Sequence, residues 1–506
     1  MAQLEAQWKR GLVGVVAVAL MGCPGPTEQP DGGVGGGSGG GSTSAGGGGG
    51  STGGSSGGGA GGGTGGAGGG ASFVDFDVVA VRFNPDGGVD STFGDAGVVR
   101  IDFGTGTGND NRDVVWSIAK DGTDRLVLFG YGKAPGARTD NDRFVIRLTA
   151  NGALDSSFAG TGTYRIDVNG RSDFARHGAV QSDGKIMSAG YVAVPNGTTA
   201  DGGALSTNTP VLVRLDSAGA PDPTFGDGGF AGPFPPPFAR TDGGSHGMIE
   251  TYSAVATMTG QYVTTGYGRV APAGPVDMIS LRVNGDGTLD TSWNSNLGYY
   301  LFDLIGDNDR GRNMAMLPDG RFAITGSAAV STPNILDAYV LFLTAGGQLD
   351  TTFNAGMGYK LYNFMGADEA WWGAALSPNG MQLAACGYSA GGQNANDDAT
   401  LLLLPLMGGA PAELAQKVPL STSDHDRFMA CTWDGDGRVV AVGMLNVNGD
   451  ARFAVARFTA QGALDTTFGG TGFVTFNASV GRTDELARAV VVQSDGKIVV
   501  AGVADH

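Results

Sequence analysis

One stretch near the end of the chain contains a complete copy of a unit that recurs along most of its length. Residues 453–503 read FAVARFTAQGALDTTFGGTGFVTFNASVGRTDELARAVVVQSDGKIVVAGV. In its second half, two apolar runs flank the turn Ser494-Asp495-Gly496. Asp-Gly between apolar runs is a strong hairpin signal, because the turn needs positive φ angles that Asp and Gly tolerate. This half therefore predicts two antiparallel strands.

The first half of the same stretch predicts another pair of strands. Apolar runs at 453–458 and 472–476 flank the element Leu464-Asp465-x-x-Phe468-Gly469. The Asp and the aromatic residue of this element recur as Asp90/Phe93, Asp155/Phe158, Asp222/Phe225, Asp290/Trp293, Asp350/Phe353 and Asp465/Phe468. The last gap is near twice the others, which predicts a degenerate copy at 408–417 and therefore seven copies.

Four short strands in each repeat of about 60–68 residues predict the blade of a β-propeller. One repeat cannot bury its own apolar faces, so neighbouring repeats must stack, and closure into a ring removes the free strand edges. The repeats begin in the second strand pair, at 78–101, and end after a first pair, at 487–503. These halves are expected to combine into one blade. We therefore expect residues 73–506 to be all-β and to form a single closed β-propeller of about seven four-stranded blades.

A family resemblance rests on three motifs of this unit. They are Asp-Gly-Lys-Ile-Val-Val-Ala-Gly at 495–502, Leu-Asp-x-x-Phe-Gly at 464–469 and Gly-x-Val at 472–474. Their combination resembles the delta-60 repeat family of bacterial envelope proteins. The resemblance covers about residues 73–506 and is strongest at 456–503. It implies propeller architecture and an envelope location, and it brings no catalytic residues that can be transferred.

The N-terminus has the pattern of a bacterial lipoprotein signal. A basic pair precedes an uncharged apolar run at 11–22, which is shorter than the about 20 residues that span a bilayer. Leu20-Met21-Gly22-Cys23 resembles the lipobox, whose cysteine is lipidated after cleavage. This resemblance implies a signal peptide at 1–22 and a lipid anchor at Cys23. Because Pro24 replaces the Asp that retains such proteins in the inner membrane, it also implies an outer-membrane or surface location. An ordinary secretory signal with an incidental cysteine is the alternative.

Residues 23–72, which begin with Cys23, are expected to form a disordered linker. From residue 32 onward the linker consists almost entirely of Gly, Ser, Thr and Ala, which offer no apolar core. A flexible Gly/Ser chain of this length spans about 35–40 Å on average. The linker would therefore hold the folded part away from the membrane.

Charge and cysteine content narrow the partners. The chain carries 31 Lys and Arg against 49 Asp and Glu, a net charge of −18. Nucleic acid is excluded as a partner because phosphate binding needs a basic footprint, and tight binding to anionic headgroups is disfavoured for the same reason. Beyond Cys23, only Cys386 and Cys431 remain, and we expect them to be buried free thiols, with one disulfide as the alternative. The folded part is expected to be a monomer that contacts the membrane only through the lipid.

The main candidate site is acidic. Carboxylates recur in the segments that lead into first strands, at Asp113, Asp173, Asp309, Asp368, Glu369, Asp424, Asp426, Asp484 and Glu485. A ring of carboxylates around a channel mouth could hold Ca²⁺, or bind sugar hydroxyls or a basic peptide. Recurrence once per blade also predicts carboxylates that pin a turn or a strand, and this is the favoured interpretation. We expect no cofactor, with Ca²⁺ at these carboxylates as the alternative.

Histidines and arginines give weaker candidates. The four histidines, His177, His246, His425 and His506, show no metal-binding spacing, and the first three are expected in segments leading into first strands, where they could share one face. Arginines recur on the predicted third strand, at Arg82, Arg147, Arg214, Arg282 and Arg457. We expect these arginines to pair with carboxylates of the blades.

Two further features are more simply explained by structural roles. Residues 284–290 are similar to a calcium loop but lack its distal Glu, so a turn is expected. The aromatic pairs Trp371/Trp372 and Tyr299/Tyr300 could stack on sugars, although one member of such a pair usually lies in the core. No nucleophile elbow, phosphate loop or dinucleotide fingerprint is present in the sequence.

Two functional classes remain open. The first is a non-enzymatic surface propeller that presents a face to protein or polysaccharide, or serves as a scaffold. The second is a propeller enzyme that cleaves carbohydrates or hydrolyses lactones with metal or carboxylate chemistry at the channel. The enzyme predicts a deep central pocket where acids and a histidine converge, whereas the binding module predicts a shallow or filled channel. We favour the binding module.

Overall fold

A computed structural model describes residues 75–505 of this chain apart from short gaps. The gaps are 105–110, 137, 199–203, 235–246, 270–273, 332–334, 365–367, 392–395, 422–423 and 480–483. The predicted signal peptide (1–22), the lipidation site at Cys23, the linker (23–72), His246 and His506 all lie outside the described residues. The helical segments that are described are too short to cross a membrane.

The described chain starts with two strands of a sheet that its last residues complete. β1 (Asp75–Phe83) pairs with β2 (Val98–Ile101) in antiparallel fashion. β3 (Asn111–Arg112) makes a short parallel pairing with the start of β1. All seven side chains from residue 77 to residue 83 are buried, as expected for a strand with a packed sheet on each side.

Residues 114–302 form three four-stranded antiparallel sheets, blades 2 to 4, each made of four consecutive strands. The strands are β4 (Val114–Lys120), β5 (Leu126–Lys133), β6 (Asn141–Leu148), β7 (Thr163–Ile166), β8 (Asp173–Val180), β9 (Ile186–Thr198), β10 (Ala204–Leu215), β11 (Phe230–Ala231), β12 (Met248–Ala256), β13 (Tyr262–Arg269), β14 (Asp277–Val283) and β15 (Tyr299–Phe302). A short helical turn, α1 (Trp293–Asn296), precedes β15.

Residues 309–476 repeat the plan in blades 5 to 7. The strands are β16 (Asp309–Met316), β17 (Phe322–Ser331), β18 (Ile335–Leu343), β19 (Tyr359–Tyr362), β20 (Glu369–Leu376), β21 (Gln382–Ala390), β22 (Asp397–Pro405), β23 (Leu414–Lys417), β24 (Asp426–Trp433), β25 (Val439–Val447), β26 (Asp450–Phe458) and β27 (Phe473–Phe476). A 3₁₀ turn at Asn354–Gly356 precedes β19. β23 falls in the predicted degenerate copy and pairs with β22 like its counterparts.

Blade 1 joins the two ends of the described chain. β28 (Glu485–Val492) and β29 (Ile498–Asp505) form a hairpin, and β29 pairs with β1, so the strand order is β2-β1-β29-β28. The register places Val81 opposite Val500. The described residues thus form seven blades, and the prediction that the terminal halves share one blade is confirmed.

The first strand of every blade lies at the centre of the ring. β4 contacts β8, and the series continues through β12, β16, β20 and β24 to β28, which contacts β4 again. Apolar side chains fill the space between neighbouring blades. Between blades 1 and 2, Val78 and Ala501 pack with Leu128, Phe144 and Ile146, all of them at most 1% exposed. Each blade is therefore stabilised mainly by its neighbours.

In five blades the recurrent Leu-Asp-x-x-Phe element links the blade to the next through a largely buried arginine. In blade 2, Arg147 Nε donates to Asp155 Oδ2 at 2.7 Å, and its guanidinium also donates to the carbonyl of Ser217 in the following blade. Asp155 is held further by the Ser157 hydroxyl, which donates at 2.6 Å. The predicted pairing of third-strand arginines with blade carboxylates is confirmed at Arg82–Asp90, Arg147–Asp155, Arg214–Asp222, Arg282–Asp290 and Arg457–Asp465.

Two blades depart from this arrangement. Blade 5 has Phe342 at this position of its third strand, and Arg321, which immediately precedes its second strand, donates instead to Asp350 Oδ2 at 2.9 Å. Blade 6 has Leu404 at the corresponding position, opposite Leu383. The aromatic residue of the element packs on the next blade, where a Cβ atom at Gly219 would lie 2.7 Å from the Phe158 ring. Only glycine fits this contact, and its φ of +88° is also one that glycine adopts freely.

Candidate functional site

Every central strand contains a β-bulge at the same place, and the bulge leaves one residue without a cross-strand partner. The residues at this position around the ring are Trp116, Arg176, Tyr252, Arg312, Trp372, Met429 and Arg488. A bulge re-aims the side chain of its extra residue and increases the local twist of the strand. All seven residues line one cavity of about 180 Å³ in the central channel.

These seven bulge residues form what we call the channel ring. Arginines and aromatic side chains alternate around most of it. The Arg176 guanidinium carbon lies 3.9 Å from the Trp116 ring centre and 5.1 Å from that of Tyr252. Arg312 lies 5.0 Å from Tyr252 and 3.9 Å from Trp372. Cation–π contacts of this kind contribute roughly 0.5–2 kcal/mol each, more when they are shielded from water. The side chains of the channel ring therefore hold one another in place.

The ring is completed by Arg488 and Met429. Arg488 precedes Trp116 in the ring, and its guanidinium carbon lies 3.9 Å from the Trp116 ring centre. Met429, whose thioether is apolar and flexible, comes between Trp372 and Arg488 in ring order. Trp116 is thus contacted by two guanidinium groups, one from each neighbouring blade.

A cluster of buried polar side chains supports the channel ring on one side. Arg176 Nη2 donates to the hydroxyl oxygen of Tyr191 at 2.5 Å. The Tyr267 hydroxyl donates to Glu250 Oε2 at 2.8 Å, and the Tyr252 and Tyr267 hydroxyl oxygens are 3.1 Å apart. Burial raises the pKa of Tyr191 and of Tyr267 well above the usual value. Both phenols are therefore neutral over the physiological pH range, Tyr191 accepting from Arg176 and Tyr267 donating to Glu250.

The cavity presents mainly hydrogen-bond donors. Within the described part of the chain, the indole Nε1 atoms of Trp116 and Trp372 are buried and have no hydrogen-bond acceptor. His177 also lines the cavity, and its Nδ1 accepts the Ala254 N–H at 3.4 Å. Burial lowers the pKa of His177 to about 4, so this imidazole is neutral at pH 7. His177 lies within β8 and not in the segment before it, where it was predicted.

None of the predicted acidic residues lines this cavity. Asp113, Asp173, Asp309, Glu369, Asp426 and Glu485 each stand three residues before a bulge residue. Their carboxylates accept backbone N–H groups, chiefly from the segment that enters the strand. Asp173 Oδ2 accepts from Val168 at 2.7 Å, and Glu485 Oε1 accepts from Ser479 at 2.6 Å. Such contacts are those of carboxylates that pin a strand.

Burial dominates the electrostatics of these pinning carboxylates. It raises the pKa of Asp113, Asp173, Asp309 and Glu369 to about 7 and that of Asp426 to about 6, in each case against the backbone N–H groups that favour the charged form. Blade 4 lacks this acid, since Ile249 holds the corresponding position before Tyr252.

The other predicted acids lie beside the pinning position. Asp368 precedes Glu369, and its Oδ1 accepts the Leu336 N–H at 3.0 Å. Asp484 precedes Glu485, and burial together with the charge of Asp505 raises its pKa. Asp424 stands two residues before Asp426, and its backbone N–H donates to the Ser421 hydroxyl at 3.1 Å.

Three clusters of carboxylates have a geometry that could hold a cation. In each, one oxygen per residue lies within 4.8 Å of the others; the clusters are Asp77/Asp102/Asp113, Asp140/Asp142/Asp167 and Asp277/Asp303/Asp309. Oxygen-only ligand sets suit a hard cation such as Ca²⁺. Several of these oxygens already accept hydrogen bonds, as in Asp309, which accepts from Leu304 at 2.7 Å and from Ala329 at 3.1 Å.

The weaker sequence candidates have structural roles. His425 precedes β24, and its Nδ1 accepts the Asp397 N–H at 3.1 Å. In residues 284–290, Asp286 accepts both the N–H and the hydroxyl of Thr288, which is a turn as expected. Trp371 is fully buried in the core between blades 5 and 6, whereas its neighbour Trp372 faces the channel. Cys386 and Cys431 are buried free thiols, as predicted.

Sequence reasoning missed the channel ring itself. Its signal was present, because an acid three residues before a bulky Trp, Arg or Met recurs in six of the seven central strands. The apolar alternation of a strand does not reveal a bulge, so the sequence pattern predicts no common direction for these side chains. Arg321 was also missed, because it comes from the turn before the second strand and not from the third strand.

Comparison with protein families supports a propeller. The family model described as "Domain of unknown function (DUF5122) beta-propeller" matches residues 136–158, 181–225 and 435–468. Each matched segment ends at the aromatic residue of a repeat element, at Phe158, Phe225 and Phe468 respectively. No curated protein matches the sequence.

Solved structures with similar folds are diverse. The polysaccharide lyase Uly1 has a TM-score of 0.43 at 11% identity, over 77% of this chain and 89% of its own. Sqt1 of Chaetomium thermophilum has a TM-score of 0.37 at 12% sequence identity, and the match covers 78% of this chain and 96% of Sqt1. The soluble aldose sugar dehydrogenase of Escherichia coli has a TM-score of 0.36 at 10% sequence identity, and the match covers 78% of this chain and 99% of the dehydrogenase. At these scores none carries a functional argument. The family match and the seven closed blades make this chain a β-propeller protein.

Proposed function

We propose that this protein is a non-enzymatic binding propeller of the bacterial envelope that presents a face to protein or polysaccharide. One observation carries the proposal: the central channel is lined by arginines and aromatic rings that stack on one another, while the recurrent acids bond to backbone groups. A propeller whose centre is occupied in this way has its broad surfaces available for a partner.

The lining of the channel argues against the enzyme alternative. Acid–base hydrolysis needs at least one carboxylate or imidazole that can exchange a proton with the substrate near neutral pH. The cavity walls, as far as the chain is described, contain His177 but neither Asp nor Glu. Its lowered pKa of about 4 leaves His177 a weak base. This arrangement is not one in which acids and a histidine converge.

The cellular setting of the proposal comes from the sequence. We propose that this chain belongs to the delta-60 repeat family and is secreted and lipidated at Cys23. We also propose that the linker at 23–72 carries the propeller as a monomer at the outer membrane or cell surface. The lipobox-like Leu20-Met21-Gly22-Cys23 and the Gly-rich composition of the linker support this assignment. The net charge of −18 favours partners other than nucleic acid.

Two measurements test this proposal. Metabolic labelling with a fatty acid, followed by detergent phase partition, is expected to place the wild-type chain in the detergent phase and Cys23→Ser in the aqueous phase. The purified full chain is then incubated with a panel of surface polysaccharides and with outer-surface protein extract, and both retention and product release are measured. Retention of a partner without new reducing ends or hydrolysis products is expected. Turnover that is lost on mutation of channel residues would overturn the non-enzymatic assignment.

A further inference from the structure

The two cysteines of the propeller lie at facing positions of neighbouring blades. Cys386 is on β21, the second strand of blade 6, opposite Gly373, which follows the bulge residue of β20. Cys431 is on β24, the first strand of blade 7, two residues after the bulge residue of that strand. Between blades 2 and 3 the same two positions hold Phe129 and Gly178, and a Cβ atom at Gly178 would lie 2.3 Å from the Phe129 ring. Residues at these positions therefore meet across a blade interface.

A glycine beside the two cysteines lets their side chains approach each other. A Cβ atom at Gly373 would lie 2.6 Å from Cys386 Sγ and 2.8 Å from the backbone nitrogen of Cys431. Cys431 Sγ lies beside the strand that contains Cys386, since it is 3.9 Å from the carbonyl oxygen of Ala384. Each of the other six central strands has a residue with a side chain at the position of Gly373, namely Ser117, His177, Ser253, Asn313, Ala430 and Ala489. At this interface the space of that side chain is left to the two thiols.

The two thiols interact directly in apolar surroundings. Burial, and after it the hydrogen bond with the Cys431 thiol, raises the pKa of the Cys386 thiol well above the usual value. Both cysteines pack in one core cluster with Leu401 and Phe428. Cys386 is fully buried, whereas Cys431 is 8% exposed and also lines the channel cavity. Because thiolate is the reactive form, an oxidant reacts with this pair most readily before the core around it is complete.

We propose that Cys386 and Cys431 form a disulfide when the chain folds in the presence of a disulfide oxidant, and that this bond joins blade 6 to blade 7. In the structure both residues are reduced. With oxidised glutathione, the Cys431 thiolate attacks one glutathione sulfur and releases the other glutathione as a thiolate. The Cys386 thiolate then attacks the Cys431 sulfur of this mixed disulfide and releases the second glutathione. The pair loses two electrons and two protons, and one glutathione disulfide becomes two glutathione thiols.

The bond acts on stability and not on the proposed binding face. A disulfide restricts the unfolded chain, and a loop of this length should raise the Tm of a protein of this size by about 4 °C. Disulfides persist in oxidising compartments, so the bond in the cell rests on the export proposed above. The chemistry of the purified pair does not rest on export or on any partner. Either proposal can therefore fail without the other.

The test uses the full chain with Cys23→Ser, which leaves only these two thiols. The chain is unfolded in urea with reductant and refolded by dilution, either into reduced and oxidised glutathione or into dithiothreitol. Both samples are then denatured, alkylated with iodoacetamide and analysed by mass spectrometry. The glutathione sample is expected to be unlabelled, to lack two hydrogen atoms and to yield one linked peptide pair that contains Cys386 and Cys431. The dithiothreitol sample is expected to carry two labels.

The melting temperature is the second measurement. The linked form is expected to melt about 4 °C above the dithiol form. The double variant Cys386→Ala with Cys431→Ala is the matched control and should melt at the same temperature after both treatments. If the chain does not refold, export to an oxidising periplasm replaces the glutathione buffer, and cytosolic expression replaces dithiothreitol.

Three results would overturn the proposal. The first is two labels on the chain that folded with the oxidant. The second is glutathione bound to either cysteine in place of the linked pair, because the thiols would then be too far apart to close. The third is a linked form that melts below the dithiol form, because the bond would then strain the blades that it joins.

Discussion

Arg457 on β26 donates a hydrogen bond to the backbone carbonyl of Pro85, a residue 372 positions earlier in the chain. Pro85 follows β1, so this contact joins blade 7 to blade 1, where the ends of the described chain meet. The same guanidinium donates to Asp465 Oδ2 at 2.8 Å. The repeat element therefore does at the closure what it does between other neighbours: an arginine on one blade holds the hairpin of the next.

Replacing this arginine should destabilise the ring. Arg457→Gln removes the nearer and more buried charged partner of Asp465 and leaves only Arg438, whose Nη1 is 3.8 Å from Asp465 Oδ2; loss of one member of a buried pair costs about 3 kcal/mol. We expect the free energy of unfolding in urea to fall by about that amount. Arg452→Gln breaks a partly exposed pair on the same strand and should cost less than about 1 kcal/mol. Equal effects of the two variants would contradict the role assigned to Arg457.

The stability of the folded chain should be greatest in mildly acidic solution. Burial raises the pKa of Asp173 to about 7, so the folded chain holds this proton after the unfolded chain has released it near 3.8. Its contribution to stability is present below pH 3.8 and is lost as the pH rises toward 7. Asp426, with a pKa of about 6, acts in the same direction over a narrower range.

The aspartates of the repeat element act in the opposite direction. Desolvation of Asp222 tends to raise its pKa, but the hydrogen bonds from Thr224 and Lys185 and the charge of Arg214 outweigh it and hold the pKa below 3.8. Its contribution is present above pH 3.8 and is lost as the pH falls. Calorimetric melting is expected to show the highest Tm at about pH 4–5. Asp173→Asn should flatten the decline toward pH 7, and an undiminished decline in that variant would contradict the assignment.

Calcium should not stabilise the protein. The oxygens of Asp309 accept backbone N–H groups at 2.7 and 3.1 Å, and an N–H aimed at a carboxylate oxygen competes with a cation for it. We expect millimolar Ca²⁺ to leave the Tm where sodium chloride of equal ionic strength leaves it. A saturable rise in Tm that Asp309→Asn abolishes would instead establish a calcium site at Asp277, Asp303 and Asp309.

The two cysteines of the propeller should be inert while it is folded. Burial raises the pKa of the Cys386 thiol well above the usual value, and Cys431 is only 8% exposed. Thiolate is the reactive form, so alkylation by iodoacetamide at pH 8 is expected to be on the order of 100-fold slower in buffer than in urea. The Cys23→Ser background restricts the readout to these two thiols, and mass spectrometry reports each one. Rapid labelling of either thiol in buffer would show that this part of the core opens readily.

The sequence by itself determined the class of fold, the number of blades and the way the ring closes. Asp-Gly turns between apolar runs specify hairpins locally, and the spacing of Asp90, Asp155 and their counterparts counts the blades. The strand pairs at 78–101 and 487–503 are half-blades that leave open edges unless they join. The arginine–aspartate pairs were also predictable, because Arg457 and Asp465 lie eight residues apart across one hairpin.

Only the tertiary structure decided what the centre of the protein contains. The bulge that turns Arg176 and Trp372 into the channel breaks the two-residue alternation from which strand faces are predicted, so the sequence pattern is silent about their direction. The contact of Arg488 with the Trp116 ring depends on closure of a ring of seven sheets, which brings together residues from opposite ends of the described chain. The acids recur just as regularly, yet their buried oxygens are used by the backbone. This too depends on the folded chain, which places the N–H groups of the entering segment and of the adjacent strand at these oxygens.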